Sequence, residues 1–363
     1  MATRVFLCTG SDPGRHRSLL ESMAEVGLSV QTYSASGEPT IDVARAATEA
    51  AREHRSAAVV AIGGGSILDL AKAVAMLLAN GGDPMDYIEV IGRGAPIARR
   101  SVPLVLTPTT AGSGSEVTSN AVLGSPEHRV KVSLRSPLML AHLAVVDPLL
   151  TLSAPPATSA ASGLDALTQC LEPYVSRMAN PVSDAFATQG LRRGARSLLP
   201  VLADGSDVSA REGMALCSLM GGLALSNAKL GAAHGIAGPF GGMFDSPHGA
   251  VCAALLGPVM DVNIRAMRER DADNPALARY DEVARLLTDD PAATAEDAVR
   301  WVRSLVAQLK VPGLATYGFQ PGPGGDGPEL HDLVARSLRS SSMKGNPVTL
   351  TEGEVAEVVR AAA

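Results

Sequence analysis

Residues Ala57–Ile62, AAVVAI, run without interruption into Gly63-Gly64-Gly65-Ser66 and then into ILDLAKAVAMLLA. A continuous apolar run of this length reads as a strand buried on both faces, and such strands belong to parallel sheets covered by helices. The glycines then turn the chain straight into a helix. Strand, glycine turn and helix in that order make the N-terminal part α/β. Its neighbours repeat the alternation, with strands at Arg4–Thr9 and Ser29–Tyr33 and helices from about His16 to Val26 and from Thr40 to His54.

A glycine cluster at such a turn gathers backbone N–H groups at a helix N-terminus, where unpaired donors and the helix dipole favour a phosphate. Larger side chains would block its approach. Two readings stay open here: a pyrophosphate cradle to which Ser66 adds a hydroxyl, or a tight left-handed turn packed on the sheet. The spacing is not GxGxxG. The first strand leads into Thr9-Gly10-Ser11-Asp12-Pro13-Gly14, where a proline breaks the helix start. A dinucleotide would therefore bind by a variant arrangement.

Val102–Leu106 is another short strand and enters Thr107–Asn120, a run dense in hydroxyls and small residues. Placed after an apolar strand, it reads as a donor-rich loop at the carboxyl edge of a parallel sheet, with a solvated Ser/Thr loop as the alternative. Lys131 follows in a predicted hairpin, and Leu143–Asp147 reads as one more buried strand. From Ser153 onward helical periodicity takes over, beginning with Pro156–Val175 and ending in a helix capped by Thr351 with Glu354 three residues on. A chain of 363 residues with 46% hydrophobic content can bury two cores, and the shift in character divides it into residues 1–150 and 151–363.

A net charge of -6 with dispersed arginines argues against a nucleic-acid surface and against an anionic membrane. The apolar run near the N-terminus spans only about five residues, too short for a secretory or membrane segment, so a cytoplasmic location is expected. Cys8, Cys170, Cys217 and Cys252 are far apart with apolar neighbours and no CxxC, which favours reduced core residues over a disulfide or zinc framework. Cys170 adjoins a candidate site.

That site centres on His234 and His248, two of seven histidines, each followed by glycine and set among small and apolar residues. Little polar competition surrounds either imidazole. Asp165 and Gln169 stand four apart, so on a helix they share a face and could complete a coordination sphere. Taken alone, the histidines fit hydrogen-bonded core positions equally well.

With GGGS-x-x-D-x-A-K (Gly63–Lys72), TPTTAGSGSEVT (Thr107–Thr118), VVDP (Val145–Pro148), GLDALTQ-x-x-E (Gly163–Glu172) and the HG and PHG motifs of His234 and His248 in order, the chain resembles the iron-containing alcohol dehydrogenase family. The resemblance covers essentially the whole chain. It implies an α/β N-terminal nucleotide-binding domain with a parallel sheet and an all-α C-terminal metal-binding domain. It further implies an NAD- or NADP-dependent oxidoreductase interconverting small alcohols with aldehydes or ketones, assembled as a homodimer. Gly64, Gly65, Ser66 and Asp69 match positions at the pyrophosphate. Thr109, Ser113, Thr118, Asn120 and Lys131 match other nucleotide-contacting positions. Asp165, His234 and His248 match metal ligands for Fe²⁺ or Zn²⁺, and so carry the expected catalytic role.

Three positions depart from the family pattern. Gln169 stands where the second ligand is normally histidine, and an amide oxygen is a harder, weaker donor than imidazole. A three-ligand site, a site using the Gln169 oxygen, and no tight metal all remain open. Gly238 replaces a histidine that many members carry in the active-site wall. Gly10 stands where an aspartate commonly disfavours a 2′-phosphate, with Arg15 and Arg17 shortly after, so NADP is at least as well accommodated as NAD. The alternatives are a maleylacetate-type reductase of an acidic ketone, with Arg129, Arg135 and Lys229 as candidate carboxylate partners, and a metal-free non-catalytic member. A dehydroquinate-synthase-like cyclase fits the GLDAL motif less well.

Overall fold

The computed structural model describes residues 3–363. Two compact units emerge. The first takes the chain up to Thr110 together with Ser115–Thr151, and the second takes Ala111–Gly114 with Leu152–Ala363. The hydroxyl-rich loop thus contributes four residues to the helical unit, although it lies well before the composition shift.

In the first unit β1 (Arg4–Thr9), β2 (Ser29–Ser34), β3 (Ala58–Gly63), β4 (Leu104–Pro108) and β7 (Leu143–Ala144) form one sheet in the order β2-β1-β3-β4-β7, and every neighbouring pair is parallel. β5 (Asn120–Ser125) and β6 (Val130–Arg135) form the expected hairpin as a separate antiparallel pair. The helices are α1 (Arg17–Glu25), α2 (Ile41–Glu53), α3 (Gly65–Asn80) and the short α4 (Pro84–Tyr87). On α2 the buried residues Ile41, Ala44, Ala47, Thr48 and Ala51 recur at helical spacing, and Thr40 Oγ1 caps its first turn by accepting from Val43 N. α3 is buried nearly all round, from Ile67 to Leu77, which is why its sequence shows no polar face. Of the stretch Leu143–Asp147 only two residues pair with β4. Leu143 is 54% and Val145 41% exposed, so this is an edge of the sheet rather than a buried strand.

The second unit is helical: α5 (Pro156–Val175), α6 (Pro181–Ala203), α7 (Val208–Asn227), α8 (Ala232–Met243), α9 (His248–Arg270), α10 (Ala276–Thr288), α11 (Ala295–Gln308), α12 (Pro328–Arg339) and α13 (Glu352–Ala361). It has its own core, to which α5 and α9 contribute on almost every turn. Among the described residues α9 is the one helix long and apolar enough to cross a membrane, and 78% of that stretch is buried inside the unit. Thr351 and Glu354 make the capping box that opens α13.

Candidate metal centre

Three segments of the helical unit supply the site. Asp165, Gln169 and Glu172 lie on α5 at positions i, i+4 and i+7, so all three project from one face. His234 sits in the first turn of α8, and His248 is the first residue of α9 with Cys252 one turn further on. The glycine after His248 has a packing reason. A Cβ on Gly249 would stand 2.4 Å from Ala161 O and 3.3 Å from Asp165 Cβ, so only glycine lets α9 start against α5 at this point.

Asp165, Gln169 and His234 are all more than nine-tenths buried. His234 Nε2 faces Asp165 Oδ1 at 3.3 Å, yet neither atom has a hydrogen-bond partner. Gln169 Nε2 donates to Asp165 Oδ2 at 2.9 Å, leaving Gln169 Oε1 unpaired as well. Of the five orphaned buried side-chain atoms among the described residues, three therefore belong to this one cluster. Buried polar atoms are almost always satisfied, and a concentration of exceptions calls for a missing partner. One ligand atom from each of Asp165, His234, His248 and Cys252 lies within 4.8 Å of the others, and the two imidazole centroids are 5.5 Å apart. Donors about 2.0–2.1 Å from a tetrahedral ion stand roughly 3.3–3.4 Å apart, which the His234–Asp165 separation already meets. The residues present fit a divalent cation.

Around the cluster lies a second ring of contacts. Glu172 Oε2 accepts a hydrogen bond from His234 Nδ1 at 2.6 Å, while Glu172 Oε1 accepts from the backbone of Ala233 at 2.6 Å. One carboxylate thereby caps the start of α8, where Gly231 offers no side chain, and holds Nδ1 as the donor, so that the lone pair of the neutral imidazole lies on Nε2. Asn346 Oδ1 accepts from Ala232 N at 3.1 Å, and Asn346 is itself held by Asn263, whose amide also reaches the Tyr280 hydroxyl. The ionisations follow from proximity. Burial opposes ionising Asp165, but His234 and His248 hold its carboxyl below the usual range. Burial likewise opposes the Cys252 thiolate, and the same two imidazoles outweigh it. His234 is raised despite burial, by Cys252 and Glu172, and His248 is raised chiefly by Cys252.

Cys252 and Glu172 are the residues to which sequence reasoning assigned no role. The signal for each was helical spacing, four from His248 and seven from Asp165. Cys170, the thiol next to the ligand helix in sequence, turns instead toward α7, donating to Cys217 O at 3.5 Å. Gly238, one turn after His234, has open space where a Cβ would be.

In the α/β unit, β3 ends at Gly63 and α3 begins at Gly65. None of the three glycines is left-handed. Gly64 is extended at φ -70°, and a Cβ on Gly63 would strike Ile67 at 2.7 Å. Close packing, not a left-handed turn, demands glycine at residue 63. Gly64 caps α3 without a side chain, so the first-turn amides of Gly65 and Ser66 have no side-chain acceptor from the cap. Asp69 is committed internally, accepting from Ser115 Oγ at 2.6 Å and Val122 N at 2.9 Å and pairing with Lys72 at 2.9 Å. Lys72 is fully buried, and its charge is met by Asp69, Ser115 O and Thr118 Oγ1. This network ties the second half of the hydroxyl-rich loop to α3. Thr109 N donates to Gly63 O at 2.9 Å, Asn120 opens β5, and Lys131 on β6 pairs with Glu38. Ser113 lies in the four-residue stretch that belongs to the helical unit.

A parallel α/β unit and a helical unit that gathers carboxylate, imidazole and thiol donors at one buried point have the make-up of a two-domain protein able to hold a divalent cation. The model for iron-containing alcohol dehydrogenases matches residues 1–148, and the model for that family's C-terminal domain matches residues 159–363. A choline dehydrogenase of Bacillus subtilis is 33% identical over 348 residues, covering 94% of this chain and 84% of its own. A crystal structure of 1,3-propanediol oxidoreductase superposes with a TM-score of 0.89 at 30% identity, over all of this chain and 92% of that one. The structure of sulfoacetaldehyde reductase from Bifidobacterium kashiwanohense, in complex with NAD⁺, gives 0.84 at 26% identity over 99% and 91%. The chain belongs to the iron-containing alcohol dehydrogenase family and is an oxidoreductase acting on CH–OH groups.

Proposed function

We propose that this protein is an NAD(P)-dependent reductase of a small aldehyde or ketone, or equally a dehydrogenase of the corresponding alcohol with NAD(P)⁺, using a divalent cation held by Asp165, His234 and His248. The observation that carries this reading is that Asp165 Oδ1 and His234 Nε2, buried with no hydrogen-bond partner, belong to a donor cluster of cation size with His248 and Cys252. When bound, such a cation would supply Lewis acidity toward the substrate oxygen. The protein's own part is to hold His234 in the tautomer with Nε2 bare, through Glu172, and to keep Asp165 oriented, through Gln169.

For the nucleotide, the side-chain-free start of α3 offers Gly65 and Ser66 amides to a pyrophosphate, and the NAD⁺ complex of the sulfoacetaldehyde reductase supports a nicotinamide cofactor. At the end of β1 a Cβ on Gly10 would meet nothing within 4 Å, and Arg15 and Arg17 are exposed nearby in sequence. With no acid at residue 10 to repel a 2′-phosphate, NADPH serves at least as well as NADH. The relatives carry names with a cationic, a neutral and an anionic substrate, so membership alone leaves the substrate's charge open, and the space at Gly238 admits a bulkier one.

The test is oxidation of NADPH and NADH with a panel of aldehydes and ketones, run beside metal analysis of the same preparation. Turnover that disappears on chelation and returns with added metal supports the reading. Full turnover by metal-free protein, or no turnover by loaded protein on any carbonyl, removes it.

A further inference from the structure

We propose that Cys252 is a metal ligand of this chain, binding as a thiolate with Asp165, His234 and His248, and that Gln169 is a positioning residue for Asp165 rather than the replacement ligand. This rests on the metal reading above. Cys252 Sγ stands 3.6 Å from His248 Nε2. Around a tetrahedral ion with nitrogen at about 2.05 Å and sulfur at about 2.3 Å, those two donors are roughly 3.5–3.6 Å apart. The other edge, His234 Nε2 to Asp165 Oδ1 at 3.3 Å, meets its own expected length. The orphaned atoms of Asp165 and His234 supply an independent sign that a ligand belongs in the same space. Cys252 lies one turn past His248 on α9, so a single helix face delivers both donors.

Gln169 is already engaged. Its amide nitrogen holds Asp165 Oδ2 at 2.9 Å, which turns Oδ1 toward the cluster. On this reading α5 supplies one ligand and α9 two. The thiol bears on metal preference, because a thiolate among imidazole and carboxylate donors favours Zn²⁺ over the harder Fe²⁺. On binding, the S–metal bond forms and the thiol proton leaves to the buffer.

The experiment is a titration of the metal-stripped full chain with Co²⁺ followed by absorption, on the wild type, Cys252→Ser and Gln169→Ala. Visible ligand-field bands report that cobalt is bound, whatever the donors. A near-ultraviolet sulfur-to-cobalt band reports thiolate ligation. The wild type should show both, Cys252→Ser should lose the near-ultraviolet band, and Gln169→Ala should keep it while binding about 10–100-fold more weakly. Visible bands without the near-ultraviolet band in the wild type overturn the thiolate and leave the metal centre standing. Retention of that band in Cys252→Ser also overturns it. Absence of both bands sinks the metal reading itself. If Cys252→Ser fails to fold, X-ray absorption on zinc-loaded wild type decides: a sulfur shell at about 2.3 Å supports the proposal, and nitrogen or oxygen alone at about 2.0–2.2 Å refutes it. Given equal Fe²⁺ and Zn²⁺ without oxygen, the wild type should retain zinc over iron by a wider margin than Cys252→Ser does, and an equal or narrower margin refutes the thiolate's part in metal preference.

Discussion

Glu172→Gln changes one oxygen into an NH₂ group and leaves the shape of the side chain intact, so its effect can be worked out atom by atom. Glu172 accepts twice, from the Ala233 amide and from His234 Nδ1, both at 2.6 Å. The backbone N–H of Ala233 can only donate, so the single oxygen of glutamine must face it. The NH₂ group then faces His234 Nδ1. To avoid two donors meeting, the neutral imidazole must carry its proton on Nε2, the atom that in the wild type has no hydrogen-bond partner and faces Asp165 Oδ1. Restoring the metal-binding tautomer costs one buried hydrogen bond, about 1–3 kcal/mol. That corresponds to roughly a 10–100-fold loss of metal affinity, the range usual for residues that orient a ligating histidine. Chelator competition on folded protein measures the dissociation constant, and thermal unfolding of the metal-free form controls for global damage. An affinity within twofold of wild type, in a variant that folds normally, would show that Glu172 does not set the tautomer.

Three further outcomes follow from particular contacts. Gly249→Ala places a methyl against Ala161 O, so it should cost about 1–3 kcal/mol of stability and weaken metal binding by displacing His248; urea unfolding that matches wild type would refute the close approach. Gly10→Asp should raise the NADH-to-NADPH ratio of kcat/KM by tenfold or more, on the order of 1.4 kcal/mol, and an unchanged ratio would remove residue 10 from cofactor choice. Burial pushes the Cys8 thiol up to about 12 from an ordinary value of 9.0, so the folded chain keeps its proton where the unfolded chain releases it. Stability from this residue is therefore complete below pH 9 and falls by about 1.4 kcal/mol per unit as pH rises toward 12, seen as the difference in unfolding free energy between wild type and Cys8→Ala. A difference that stays flat across that window contradicts the assignment.

Much of this architecture was legible in the residues. The bounds of α5 coincide with those expected from its prolines and periodicity, and β1, β3 and β4 pair in parallel as their continuous apolar runs suggested. The i, i+4 pair Asp165 and Gln169 was readable because one helix carries both. Cys252 was not, since VCAALL reads the same whether a thiol fills a core or faces a metal, and that difference is made by α5 and α8, which arrive from elsewhere in the chain. Glu172 stood in a quoted motif, but its two acceptors mean nothing until α8 begins beside it. The segment at Leu143–Asp147 misled because an edge strand with half-exposed leucine and valine has the composition of a central one.

The start of α8 depends on Asn346, which reaches Ala232 across 114 positions of sequence. During synthesis every candidate donor emerges from the ribosome well before the asparagine that steadies His234's helix. Metal capture in its final geometry is thereby deferred until the segment carrying Asn346 has been made. A chain ending before Asn346 should bind a divalent cation more weakly than the full chain, read as a higher dissociation constant in chelator competition.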